Sequence, residues 1–382
     1  MSIAIAPPCS PLRAAPVRAV APPFVVHVGI VGPGKVGSAL LAQLRLAAPR
    51  LLRDCRLELR LRAVSDSRHM WLDCDDEALN GRTHGAQTWR PAELDEFAAY
   101  VAGDGGGPAV LADCSASDFV ADRYAGWLAA GIHVVTPNKR AASGPLERWR
   151  RIGAAAGASG ARLHYEGTVG AGLPVVHTLR DLLDTGDELV SVEGMLSGTL
   201  AWLFHRFDGS LPFSALVREA HALGYTEPDP RDDLSGMDVA RKLVILAREA
   251  GLPLSLEDVR IGGLVPDALV HGDREMFMDH LEALDAPMAA LLAQARAAGG
   301  VLRHVARLHG RKASVGVEAV APDHAFAHAR LSDNVVRFTT RRYCDNALVV
   351  QGPGAGPDVT AAAVFADLLR VAGAMGVKRC AC

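Results

Sequence analysis

The densest concentration of chemistry in this sequence lies between Gly224 and Lys242, where Glu227, Asp229, Asp232, Asp233 and Asp238 place five carboxylates within 16 residues. Such acids repel one another, so the loop needs stiffening and a compensating cation. Pro228 and Pro230 supply the first, because proline fixes φ and biases the preceding residue away from helix. A cationic ligand group, such as an α-ammonium, would supply the second. Just beyond, Asp238 and Lys242 stand at i and i+4 of a helical run over 236–250 and share one face. Ala240, Leu243, Val244 and Ala247 fall largely on another face. The pair reads either as a surface ion pair or as a catalytic unit in which Lys242 handles a proton and Asp238 positions it or the substrate. Spacing alone leaves both open.

A second constellation sits near the start. The apolar, β-branched run 24–31 leads directly into Gly32-Pro33-Gly34-Lys35-Val36-Gly37, and 38–46 reads as a helix. Strand, glycine turn and helix in that order suit a dinucleotide. Gly32 allows the tight turn, Gly34 lets the backbone approach a pyrophosphate, and Gly37 allows close helix–strand packing. The helix N-terminus, with Lys35 and Val36 in its first turn, presents N–H groups and a positive dipole end to the phosphates. A second strand over 57–65 ends at Asp66-Ser67-Arg68. The acid would accept ribose hydroxyls and favour NAD, whereas the arginine suits the 2′-phosphate of NADP, and both readings survive.

These residues need elements to hold them. Strands over 109–113 and 132–136 flank a helix over 118–130, and alternation of this kind argues for a parallel sheet. The second half changes character: a short strand at 163–166, a helix at 175–183, a strand at 189–195, helices at 200–207 and 213–223, strands at 301–308, 313–319 and 335–343, and a helix at 359–373. The expected class is α/β. A Rossmann-type parallel sheet spans 24–160, an α+β domain with an open mixed sheet spans 161–345, and a C-terminal segment, 346–382, returns to the first domain. Residues 1–23, rich in Ala and Pro, read as a disordered leader.

Composition narrows the function classes. The chain has 382 residues, 49% hydrophobic and 22% charged, enough for two packed domains. A net charge of -3 gives no broad attraction to nucleic acid or to an anionic membrane. No run of about 20 apolar residues occurs, so no membrane span is expected. The seven cysteines are odd in number and irregularly spaced, which argues against a disulfide framework and for a reducing cytoplasm. The terminal Cys380 and Cys382 could bind metal or oxidise. Cys114, after a strand, could serve an aldehyde-oxidising dehydrogenase as nucleophile, but that chemistry needs a lowered thiol pKa and a base such as His, and none is near in sequence.

The stretch 224–242 resembles the signature of the homoserine dehydrogenases. Thr136-Pro137-Asn138-Lys139, Val169-Gly170-Ala171-Gly172-Leu173-Pro174, Leu196-Ser197-Gly198-Thr199-Leu200, and Gly354-Ala355-Gly356 ahead of Thr360-Ala361 agree with it, in the family's order. The chain most resembles the dehydrogenase half of the bifunctional aspartokinase–homoserine dehydrogenases, and it ends too early for the regulatory domain of many monofunctional members. The resemblance implies NAD(P)H-dependent reduction of L-aspartate 4-semialdehyde to L-homoserine, with NADP favoured, in a cytoplasmic homodimer.

It also implies roles. Lys242 is the proton donor, with Asp238 close to the reacting end and Lys139 a second active-site lysine near carbonyl and nicotinamide. Glu227, Asp233, Gly198, Thr199 and Tyr225 bind the substrate. Arg68, Ser115, Ala116 and Gly356 join the glycine loop around the cofactor. Glu166, Val169, Ala171 and Leu173 match a monovalent-cation site, sodium or potassium, built mostly from main-chain oxygens. Gly167 departs from the family, where a bulkier residue is expected. A non-catalytic nucleotide-sensing or oligomerisation module would keep the glycine loop but would not need Lys139, Lys242 and the acid cluster together.

Overall fold

The computed structural model describes residues 22–72, 89–103 and 107–377, the side chain of Trp89 apart. The expectations for Cys380 and Cys382, and for nearly all of the leader, lie outside the described residues.

The first sheet has seven strands in the order β4-β3-β2-β1-β5-β6-β7. They are β1 (Phe24–Val31), β2 (Leu57–Ser65), β3 (His69–Leu72), β4 (Trp89–Pro91), β5 (Ala109–Asp113), β6 (His133–Val135) and β7 (Leu163–His164). From β2 to β7 the pairing is parallel, and β3 and β4 add an antiparallel edge. The helices Lys35–Cys55 and Pro357–Ala374 cover one face, packing Leu40, Leu44, Val364 and Leu368 on Val26, Val28 and Ile30. Leu94–Ala102, Tyr124–Ala129 and Leu146–Ser159 cover the other. A sheet buried on both faces explains why β1 and β5 read as continuous apolar runs. Strand order reverses between β1 and β5, so a crevice opens beyond their C-terminal ends.

The first helix runs to Cys55 and takes Pro49 into its interior. The proline removes one hydrogen bond, yet burial of Leu51 and Cys55 carries the helix past it. Cys55 is disulfide-bonded. The helix expected over 118–130 is two pieces, Asp118–Ala121 and Tyr124–Ala129.

The second sheet is mixed and six-stranded, in the order β13-β12-β8-β10-β11-β9. Its strands are β8 (Leu189–Met195), β9 (Val259–Ile261), β10 (Val301–His309), β11 (Lys312–Val320), β12 (Asp333–Thr340) and β13 (Leu348–Pro353). Helices Gly198–Arg206, Met237–Glu249 and Asp285–Ala297 pack against it around Val192, Leu203, Leu243, Leu246 and Phe338. Two expected boundaries shift. β7 belongs to the first sheet, paired with β6, and β13 belongs to the second, paired with β12, so the chain returns to the first sheet only at Pro357. Both strands are short or edge-lying, and pairing rather than local pattern assigns them.

Candidate active site

The glycine loop explains itself sterically. Gly32 has φ +82°, and a Cβ there would stand 2.9 Å from the Ser115 nitrogen. A Cβ on Gly37 would meet the Gly32 carbonyl oxygen at 2.3 Å. Gly34 differs: nothing lies within 4 Å of a Cβ built on it. Two glycines thus close the turn, and the third faces open space at the start of helix Lys35–Cys55, where Lys35 is exposed and Val36 half-buried. This cradle fits a pyrophosphate. Ser115 lies against it, with Ala116 exposed beside it.

At the tip of β2 the carboxylate of Asp66 accepts the backbone N–H groups of Arg68 and His69, each at 2.7 Å. Asp66 therefore caps its own turn. Arg68 is exposed, and its guanidinium has no partner among the described residues. Gly356 precedes helix Pro357–Ala374, whose first turn is tied to the glycine-loop helix by Gln43 Nε2 donating to the Asp358 carbonyl at 2.8 Å.

The sharper arrangement is at helix Met237–Glu249. Everything from Val239 to Arg248 except Arg241 is buried, and the apolar stripe at Ala240, Leu243, Val244 and Ala247 is fully so. Lys242 is buried with it, 8% exposed, which an ordinary surface pair is not. Its Nζ donates to the Leu196 carbonyl at 2.6 Å and lies 2.9 Å from Asp238 Oδ2. The other oxygen of Asp238 is 3.1 Å from Lys139 Nζ. One carboxylate, half-open to the crevice, thus bridges two ammonium groups carried by two different helices, Lys139–Ser143 and Met237–Glu249. Burial pushes the Lys242 ammonium below its ordinary range, while Asp238 acts to raise it. Despite desolvation, Lys242 and then Lys139 hold Asp238 well below the usual carboxylate range.

The acid-rich loop resolves into separate tasks. Asp229 accepts the backbone N–H of Arg231 at 3.0 Å and pairs with its guanidinium, capping helix Pro230–Leu234. Asp233 turns inward: its Oδ1 accepts the Thr199 hydroxyl at 2.9 Å and its Oδ2 the Glu227 N–H at 2.7 Å. Burial raises the Asp233 pKa. Thr199 Oγ1 also lies 2.7 Å from the Tyr225 carbonyl. Gly198 opens helix Gly198–Arg206, and a Cβ there would stand 3.4 Å from the Ser332 carbonyl oxygen. Glu227 and Tyr225 remain exposed, so a carboxylate and an aromatic edge are left for a ligand. Leu196 entered the sequence reading only as the first residue of the 196–200 segment, with no role, because its contribution is a main-chain carbonyl.

The expected cation loop is partly committed elsewhere. The Glu166 carboxylate accepts the Val176 and His177 N–H groups at 2.8 and 2.9 Å, capping the next helix. His177 Nε2 lies 3.0 Å from Asp367 Oδ1 on the C-terminal helix. The carboxylate is thereby occupied, and main-chain oxygens remain as donors. Val169 and Ala171 are buried, and no hydrogen bond to their carbonyls is found among the described residues. Ala171 takes φ +53° after Gly170 at +77°, a backbone alanine seldom adopts, and Leu173 closes the turn by donating its N–H to the Gly170 carbonyl at 3.0 Å. Orphaned carbonyls in a strained, buried loop fit a hard monovalent ion. Gly167 packs on Pro137, whose Cβ would be 3.0 Å from an added Cβ, so this loop leaves little room for a larger residue.

Cys114 does not fit a nucleophile: burial, and then Asp113, push its thiol pKa upward, away from thiolate. Among the described residues no helix is long and apolar enough to cross a membrane.

The same organisation recurs in known proteins. The homoserine dehydrogenase NAD-binding domain model matches residues 32–166, and the homoserine dehydrogenase model matches residues 174–369. A homoserine dehydrogenase of Emericella nidulans is 42% identical over 361 residues, covering 91% of this chain and 98% of that protein. A chloroplastic bifunctional aspartokinase/homoserine dehydrogenase 1 of Zea mays is 45% identical over 370 residues, and the match spans 40% of its length. Among solved structures, a Candida auris protein of unknown function superposes with TM-score 0.83 at 37% identity, covering 91% of this chain and 98% of that one. A putative homoserine dehydrogenase of Archaeoglobus fulgidus superposes with TM-score 0.73 at 28% identity, covering 91% and 99%. With both family models in tandem along the described sheets, and a full-length relative at this identity, the chain belongs to the homoserine dehydrogenase family of oxidoreductases.

Proposed function

We propose that this chain reduces L-aspartate 4-semialdehyde to L-homoserine with NAD(P)H, in the biosynthesis of threonine, methionine and isoleucine. One observation carries the reading: a buried ammonium, Lys242, has two of its three N–H donors engaged, by Leu196 and Asp238, which leaves the third for a substrate oxygen. Bound at the glycine cradle, the reduced nicotinamide supplies a hydride to the aldehyde carbon. Lys242 then stabilises the charge that develops on oxygen and delivers the proton there. Lys139 faces the same carboxylate and adds a second positive charge at the reacting end. Glu227 and Asp233 hold the α-ammonium, while Gly198, Thr199 and Tyr225 shape the pocket, so orientation contributes to the rate.

NADP is the preferred cofactor in this reading, because Oδ1 of Asp66 is taken by its own turn while the Arg68 guanidinium is open for a 2′-phosphate. Gly32, Gly34, Lys35, Val36 and Gly37 hold the pyrophosphate, Ser115 and Ala116 flank the nicotinamide, and Gly356 closes on the nucleotide. Sodium or potassium would be held by the loop of Glu166, Val169, Ala171 and Leu173, where the Val169 and Ala171 carbonyls accept no hydrogen bond among the described residues. A homodimer is part of this reading, formed through the domain at 161–345. The odd, irregular cysteines support a cytoplasmic location.

The test is a spectrophotometric assay with homoserine and each oxidised nicotinamide in turn. Reduction of NADP faster than NAD is expected. Tight nucleotide binding without any turnover would favour the non-catalytic module instead.

A further inference from the structure

β5 ends on Asp113, which is fully buried and makes no ion pair among the described residues. Desolvating an unpaired carboxylate is costly, so its hydrogen bonds must be firm. Its Oδ1 accepts the Ser115 N–H at 2.8 Å. Its Oδ2 accepts the Tyr124 hydroxyl at 2.5 Å and the Asn138 amide at 2.9 Å. Its main-chain carbonyl accepts the Thr136 hydroxyl at 2.7 Å.

Two of these bonds lead toward the reacting groups from opposite sides. Ser115 lies against the Gly32 turn and leads into Ala116. Asn138 is the N-cap of helix Lys139–Ser143, its Oδ1 accepting the Arg140 N–H at 3.0 Å. A carboxylate can only accept here, so together with the Ser117 carbonyl, which accepts the same amide at 3.0 Å, it fixes which way the Asn138 amide points, and with it the start of the helix that carries Lys139. We propose that Asp113 is a positioning residue: its two oxygens set the Ser115–Ala116 backbone and the Lys139 helix at a fixed mutual distance, so that hydride donor and ammonium meet at one carbonyl group. This rests on the function proposed above. Asp113 itself touches neither substrate nor cofactor in it.

The experiment measures the primary isotope effect on kcat/KM with NADPH deuterated at the transferred position, for wild type, D113N, N138S and D113N/N138D. The D113N substitution would turn an amide donor toward that of Asn138. N138S keeps an N-capping oxygen but loses the donor to Asp113. Both single variants are expected to lower kcat by about 10- to 100-fold, the scale of a misplacement near 1 Å. The isotope effect should rise, and the dissociation constant for NADPH should stay within about threefold. The double variant restores an acceptor facing a donor at the Asp113 position, though it loses the donation of Asn138 to the Ser117 carbonyl, and should recover part of the lost kcat relative to D113N. Wild-type kcat and isotope effect in folded D113N would overturn the proposal, and if D113N does not fold, the same result in N138S would. So would a lowered Tm and active fraction with an unaltered isotope effect and no rescue, which mark a purely structural bond. Wild-type enzyme that does not turn over aspartate 4-semialdehyde would overturn the function first and this inference with it.

Discussion

Lys242 Nζ lies 2.9 Å from Asp238 Oδ2, one helical turn ahead of it, and the two sit in different surroundings: Lys242 is buried, while Asp238 is half-open to the crevice. That asymmetry suits a proton donor held by an anion that solvent and ligand can both reach. Removing the donor isolates its contribution. Lys242→Ala should lower kcat for semialdehyde reduction by about 10²–10⁴-fold, the usual range for a general acid, with a smaller change in KM. Near-normal turnover in the folded variant would remove Lys242 from the role.

The pH profile reports the same pair. Burial lowers the Lys242 pKa and Asp238 opposes that shift. Reduction needs the ammonium, so activity should fall as pH rises through the Lys242 pKa, below the ordinary lysine range. Asp238→Asn removes the opposing charge and should move this alkaline limb to lower pH. For stability the sign is opposite: Asp238 has a depressed pKa, so its contribution is present above the ordinary carboxylate pKa and is lost as pH falls through the folded value. A limb that stays in place in Asp238→Asn would show that another group governs it.

The glycines separate fold from binding. Gly37→Ala drives a Cβ against a backbone oxygen 2.3 Å away and should depress Tm and expression. Gly34→Ala meets nothing within 4 Å and has an ordinary negative φ of -70°, so Tm should hold. The added methyl stands where the pyrophosphate is placed, and nucleotide titration should show a dissociation constant weaker by about tenfold or more, equivalent to about 1.4 kcal/mol. Equal Tm losses in both variants would contradict this division.

Cofactor preference turns on Arg68. Arg68→Ala should raise KM for NADPH by about tenfold, the order of one lost charge-assisted contact, and leave KM for NADH nearly unchanged. Parallel changes for both cofactors would place the arginine outside 2′-phosphate recognition.

Substrate grip is tested at the exposed acid. Glu227→Ala should chiefly raise KM for the semialdehyde, because Glu227 is solvent-facing and only its main-chain N–H is tied into the site. An unchanged KM would count against an ammonium contact.

Local periodicity and turn chemistry were enough to read the strand–glycine–helix unit, the parallel strands at 57–65 and 109–113, and the shared helix face of Asp238 and Lys242, because each of these is encoded within a few consecutive residues. What those residues become depends on long-range packing. Asp238 and Lys242 share a helix face in any surface ion pair, and only burial of the helix against the second sheet, with the Leu196 carbonyl beneath and Lys139 brought in on another helix, makes the pair unusual. The membership of β7 and β13 was likewise hidden, since two to six residues of apolar pattern carry no information about which sheet will pair with them. The Asp113 network was invisible for the same reason: apart from Ser115, two residues on, its carboxylate partners stand 11 and 25 residues away, and hydrogen bonds across such separations are written in the fold rather than in spacing.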